Sequence, residues 1–135
     1  MSIPLTVESG VPIQQLTGPW AFCFPILISE NISLNRSLWE DQNRYKIWLE
    51  IELAAAQAME KIGAIPKGVA LKTKKKAKIN VNRIQQIEKK VHHDVIAFLT
   101  SITEKVGPEG RFLHKGMTSS DVLDTCFNIQ LVQAS

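Results

Sequence analysis

The sequence predicts an all-α protein on three observations. Apolar residues recur at three, four and seven positions, the spacing of one helix face. Helix boundaries are punctuated by capping residues and Gly or Pro. No run alternates apolar and polar residues as a half-buried strand would. The expected architecture is an irregular N-terminal extension over residues 1–37, an N-terminal helical domain over residues 38–109, and, over residues 110–135, a loop together with the truncated start of a central bundle helix.

The first segment holds Pro4, Pro12, Pro19 and Pro25 with Gly10 and Gly18 and no sustained helical period, so it reads as extended or irregular. From Leu38 the pattern turns helical. Tyr45, Trp48, Leu49, Ala55, Ala56, Met59 and Ile62 form one apolar face, and Ile47, Ile51, Ala54 and Ala58 form a second. Gly63 and Pro66 end this helix. A short basic helix is expected from about Lys67 to Lys78. Asn80 is placed to cap the next one, whose inner face carries Val81, Ile84, Ile87 and Val91. Asp94, as N-cap or first-turn residue, opens a helix with Val95, Phe98, Leu99, Ile102 and Val106, closed by Gly107-Pro108. The last helix follows Thr118-Ser119-Ser120-Asp121. With Val122, Leu123, Cys126, Phe127, Ile129, Leu131 and Val132 it is apolar nearly all round, as in a helix cut from a longer bundle.

Bulk properties narrow the function classes. A chain of 135 residues can bury a real core. Its net charge of +3 conceals a basic segment containing Lys67, Lys72, Lys74, Lys75, Lys76, Lys78, Arg83, Lys89 and Lys90 with one acid, Glu88. A solvated helical face is the favoured reading, because no aromatic residue interleaves the lysines to stack on bases; nucleic-acid binding is not expected. The apolar run from Trp20 to Ile28 is broken by Pro25 and falls short of the ~20 residues of a membrane helix. Cys23 and Cys126 form no metal or redox motif, which fits a cytoplasmic protein with reduced thiols.

Two polar clusters stand out. Thr118-Ser119-Ser120-Asp121 lies at a helix start, where unpaired N–H groups and the helix dipole attract anions. Ordinary capping explains part of it, but three consecutive hydroxyls exceed what one cap needs, and Gly116 would allow close backbone approach. His92-His93-Asp94 lies at another boundary. Adjacent histidines do not face the same way on a helix, so they make a poor metal site, and no metal is expected. The plain alternative is one surface histidine and one capping histidine. The functional alternative has His93 in a cleft, contacting an anion or moving a proton.

These residues carry a resemblance. The run Leu38-Trp39-Glu40-Asp41-Gln42-Asn43-Arg44-Tyr45-Lys46-Ile47-Trp48-Leu49-Glu50-Ile51-Glu52-Leu53 resembles the first long helix of bacterial adenylosuccinate lyases. Ile65-Pro66, His93-Asp94-Val95-Ile96-Ala97-Phe98-Leu99 and His114-Lys115-Gly116-Met117-Thr118-Ser119-Ser120-Asp121-Val122-Leu123-Asp124-Thr125 match the same family in the same order, over roughly three quarters of the chain. The Thr-Ser-Ser-Asp stretch is shared more loosely across the fumarase/aspartase superfamily.

The resemblance implies a lyase of purine biosynthesis that removes fumarate from adenylosuccinate and from succinylaminoimidazole carboxamide ribotide. It implies no cofactor, and a homotetramer built around a helical bundle, with each active site drawn from three subunits. It assigns Thr118 and Ser119, with Ser120 beside them, to the succinyl part of a purine ribonucleotide substrate. It places His92, His93 and Asp94 in the substrate-binding knot, and His114 near the substrate. Among these His93 is the one candidate for a catalytic role. His92 stands where the family usually has a basic residue such as Arg. The family's general-acid histidine and general-base serine fall beyond position 135, and its Arg-Tyr pair before Trp39 is replaced by Ser29-Glu30-Asn31-Ile32. The expectation is therefore the N-terminal portion of such an enzyme, with substrate-binding but not acid/base residues. The alternative is a truncated, non-catalytic homologue acting as a helical interaction fragment.

Overall fold

A computed structural model describes residues 36–135 of the chain, so all but the end of the expected extension over residues 1–37 lies outside the described residues. Five α-helices follow in order: α1 (Asp41–Lys61), α2 (Val69–Lys76), α3 (Val81–Val91), α4 (Asp94–Val106) and α5 (Ser119–Ala134), with a short 3₁₀ helix (Pro108–Phe112) between α4 and α5. Among the described residues there is no strand, and the class is all-α as the periodicity predicts.

α1 is the hub: α2, α3 and α5 all pack against it, while α3 and α4 pair most extensively with each other. The α3–α4 pair is antiparallel, since Arg83 near the start of α3 holds Glu104 near the end of α4, Nε to Oε2 at 3.0 Å. The connection between them is only His92-His93, short enough to enforce that hairpin.

An aromatic triad forms the centre of the core. Tyr45 and Trp48 from α1 meet edge to face at 5.2 Å, and Phe98 from α4 stacks on Tyr45 at 5.8 Å and stands perpendicular to Trp48 at 5.5 Å. These offset and edge-on geometries suit the ring quadrupoles and add to area burial. Ile84, Val95, Ile102 and Val122 complete a fully buried shell from α3, α4 and α5.

Capping follows local chemistry. The Asn80 side chain accepts from the Arg83 N–H at 3.0 Å and caps α3 as expected. The N-cap of α4 is His93, with Asp94 in the first turn. Gly68, at φ +90°, has no side chain with which to cap α2. Instead Glu60 of α1 accepts from the Ala70 N–H at 2.7 Å, and this helix-start contact draws its carboxyl below the usual range.

The apolar patterning needs three corrections. Ile62, expected on the inner face of α1, is its C-cap and is 76% exposed, because the chain turns away at Gly63. Val91, expected inside α3, is exposed on the last turn before His92. Of the second stripe on α1, Ile47 is buried and Ile51 half-buried, but Ala54 and Ala58 face outward. On α5, Val122, Cys126 and Gln130 form the buried face, while Phe127, Leu131 and Val132 are exposed.

Removing the aromatic centre leaves a cavity that no neighbour can fill. Trp48→Ala is expected to cost about 3–5 kcal/mol, a large part of the stability of a domain this size. Urea denaturation followed by far-UV circular dichroism should show the midpoint falling steeply; an unchanged midpoint would remove the triad from the core.

Candidate functional site

The loop over residues 113–118 is fastened to α1 at several points. Both oxygens of Glu52, which is completely buried on the inner face of α1, are taken up by His114. The backbone N–H of His114 donates to Oε2 at 2.8 Å, and its ring Nδ1 lies 2.7 Å from Oε1. Further along, Lys115 Nζ donates to the carbonyl of Ala64 at 2.8 Å. Gly116 takes φ +73°, and a Cβ there would stand 3.2 Å from Met59 Cε, so turn geometry and contact with α1 account for this glycine.

The loop delivers the chain to the start of α5. Thr118 is the N-cap, Ser119 and Ser120 the first two helical residues. Asp121 accepts from the Thr118 backbone N–H at 2.7 Å and from its hydroxyl at 3.1 Å. The backbone bond and then the hydroxyl hold the Asp121 carboxyl below its usual range, and the charge of nearby His114 acts in the same direction. The hydroxyl of Thr118 is thus engaged within the cap, while Ser119 reaches elsewhere.

Ser119 meets His93. Its Oγ lies 3.5 Å from His93 Nε2, joining α5 to the start of α4 across 26 residues of sequence. The other ring nitrogen, Nδ1, caps α4 by accepting from the Ile96 N–H at 3.4 Å. In the neutral ring this leaves the proton on Nε2, facing the serine. Both contacts are long, so the ring is positioned without being clamped. Asp94 accepts from the Val95 N–H at 2.7 Å, and its carboxylate stands 3.6 Å from His93 Nδ1.

The structure therefore brings together His93, Asp94, His114, Thr118, Ser119 and Asp121 at the adjoining starts of α4 and α5, with Ser120 exposed beside them. His92 goes elsewhere. It ends α3 in the left-handed conformation (φ +53°), is exposed, and lines a shallow groove with Gln85, Glu88 and Lys89. One histidine on the surface and one in a cap is the plain alternative the sequence offered for this pair.

Two functional-looking residues escape sequence reasoning. Glu52 reads as one more surface acid beside Glu50, though its place four residues after Trp48 and four before Ala56 sets it on the buried stripe. Gln130 is buried on α5, where its Nε2 donates to the carbonyl of Leu38 at 2.7 Å. Burial pushes the thiol of Cys126, one turn earlier, up from its ordinary range. Among the described residues no group of three or more His, Cys, Asp or Glu side chains could hold a metal ion, and no helix is long and apolar enough to cross a membrane.

Comparison with known proteins places the fold. No family model matches the chain. A fumarate lyase from Mesorhizobium sp. BNC1 superposes with a TM-score of 0.68 at 23% identity, over 74% of this chain and 24% of that one. The described helices thus have the fold of that fumarate lyase. The chain is 45% identical over 104 residues to adenylosuccinate lyase of Thermotoga maritima. It is an adenylosuccinate lyase homologue over 77% of its own length, and spans 24% of the length of that relative.

The cap carboxylates carry a pH signature. The carboxyls of Asp121 and Glu60 are depressed by hydrogen bonds that exist only in the folded chain. They stabilise the fold fully above the ordinary carboxylate range of about 3.9–4.3, and that contribution is lost as pH falls through their lower folded values. Asp121→Asn should lower Tm at pH 7, and the gap to the wild type should narrow at a second pH below the ordinary carboxylate range in thermal scans. A constant gap at both pH values would contradict this.

Proposed function

We propose that this chain is the N-terminal portion of an adenylosuccinate lyase-type enzyme and holds the dicarboxylate end of a purine ribonucleotide substrate. The observation that carries this reading is the meeting of His93 Nε2 and Ser119 Oγ at a helix N-terminus, with His114 close by. Anions are favoured there by unpaired N–H groups, hydroxyl donors and imidazole. The 45% identity to an adenylosuccinate lyase supports adenylosuccinate as the substrate, with the ribotide of the de novo purine pathway as the second.

The reaction is a β-elimination. A base removes a proton from the succinyl carbon next to the one that bears nitrogen, the C–N bond breaks, and an acid returns a proton to the leaving amine; AMP and fumarate result. In this reading the hydroxyls of Ser119 and Ser120 bind the succinyl carboxylates, Thr118 caps the helix start that faces them, and His93, Asp94 and His114 line the substrate. His93, less tightly held than His114, is the candidate of this set for moving a proton. The principal acid and base come from other parts of the enzyme, in keeping with a chain that spans a quarter of its relative. The buried thiol of Cys126 supports a reducing, cytoplasmic setting.

The outer face of α5 favours assembly. Phe127 (52% exposed) and Leu131 (45%) lie one turn apart on one side, Val132 (76%) is exposed further round the helix, and Trp39 sits 6.2 Å from Phe127. Such a stripe on one helix suits a bundle with copies of itself. The second reading, a non-catalytic helical interaction fragment, draws on this same stripe.

Two measurements test the proposal. Titration with adenylosuccinate should shift the NMR signals of His93 and Ser119 with no release of fumarate, and Ser119→Ala should weaken binding about tenfold, the scale of one charge-assisted hydrogen bond. Absence of binding favours the interaction fragment, and steady fumarate release contradicts the missing acid and base. In sedimentation, the chain should self-associate and Phe127→Asp with Leu131→Asp should render it monomeric; a wild-type monomer would count against the bundle.

A further inference from the structure

Glu52 plays no part in the reading above, yet it is the one carboxylate among the described residues that is completely buried. A carboxylate is a costly choice for the apolar stripe of α1 unless both oxygens are satisfied. Both are satisfied by a single residue, His114, through its backbone and its ring. His114 in turn adopts φ +59°, a left-handed conformation that side chains other than Gly rarely take. Such strain persists where the surroundings over-determine it, and it concentrates at functional sites.

We propose that Glu52 is the positioning residue of His114, holding its ring as the Nδ1–H tautomer so that Nε2 is the nitrogen offered to a ligand. A backbone N–H can only donate, so Oε2 accepts. An ionised carboxylate can only accept, so at 2.7 Å from Oε1 the ring Nδ1 carries the proton. The hydrogen bond on one imidazole nitrogen decides the state of the other. What Nε2 then meets depends on the substrate-binding reading proposed above; which nitrogen carries the proton does not.

Glu52→Gln gives a sharp test because glutamine offers one acceptor and one donor in the same shape. The backbone N–H of His114 claims the amide oxygen. The amide NH₂ then faces Nδ1, which must become an acceptor, and the ring proton moves to Nε2. The full chain, labelled with ¹⁵N-histidine, is examined by long-range ¹H–¹⁵N correlation well above the ordinary imidazole pKa of about 6.5. Wild-type His114 should show a protonated Nδ1 and an unprotonated Nε2. Glu52→Gln should show the reverse, with unchanged helical circular dichroism, and should bind adenylosuccinate about tenfold more weakly.

A wild-type His114 protonated on Nε2 would overturn the assignment, since it would mean that a protonated Glu52 donates to the ring; this spectrum decides even if Glu52→Gln fails to fold. Equal affinity in the folded, flipped variant would overturn the positioning role. If the wild-type chain shows the Nδ1–H pattern but binds no adenylosuccinate, the substrate reading fails while the tautomer assignment stands.

Discussion

The buried carboxylate of Glu52 ties the candidate site to the core. It lies on the same face of α1 as Tyr45, Trp48 and Ala56, so it is withdrawn from water whenever α1 packs. Left unpaired, a charge in such a place would strongly destabilise the fold. Only the arrival of the loop at His114 supplies the two donors it needs. The packing of α1 and the placement of the loop thereby depend on each other. The chain runs from His114 to the Thr118–Asp121 cap and so to Ser119, whose hydroxyl meets His93 on α4. The alignment of the starts of α4 and α5 rests on this sequence of contacts.

The two histidines of the cluster are held in different ways. His114 is gripped at 2.7 and 2.8 Å by a completely buried carboxylate. His93 is held by a backbone N–H at 3.4 Å and a serine at 3.5 Å, and its side chain is 41% exposed. Charge-assisted bonds at short distance fix a ring, whereas long neutral ones leave it able to tighten on a ligand. The cluster therefore pairs a rigid imidazole with an adaptable one.

Much of the fold was legible in the sequence because amphipathic spacing and caps are local signals. Asn80, Gly107-Pro108 and the Thr118–Asp121 box mark helix ends through interactions within a few residues, and the structure uses them so. Ile62 and Val91 failed because they occupy last turns, where periodicity continues on paper after the chain has left the core. The site was legible in part. Ser119 and His93 could be singled out by motif, but their contact spans 26 residues and needs the packing of α4 on the rest. Glu52 was hidden because its partner lies 62 residues away, and an acid in a charged run resembles surface. Its one signal was position: a Glu on the stripe of Tyr45, Trp48 and Ala56 contradicts the pattern around it, and such a contradiction marks a buried partner.

Charge on the remaining surface points the same way. The basic segment that could suggest a polyanion partner is engaged in part by the protein's own acids: Lys72 lies 3.1 Å from Glu109, and Arg83 is paired with Glu104. Exposed pairs of this kind contribute little to stability, typically under about 1 kcal/mol, but they lower the field that would steer nucleic acid. They also join α2 to the 3₁₀ helix and α3 to α4, on the elements next to the cluster. At the cluster itself, charge is arranged differently. A buried acid backs a histidine, a helix start faces outward, and hydroxyls stand at the rim. A polyanion needs a broad basic surface, whereas a small dicarboxylate needs a few oriented donors in one place. The proposed reading draws on the second arrangement, with the hydroxyls of Ser119 and Ser120 at the start of α5 and His93 beside them.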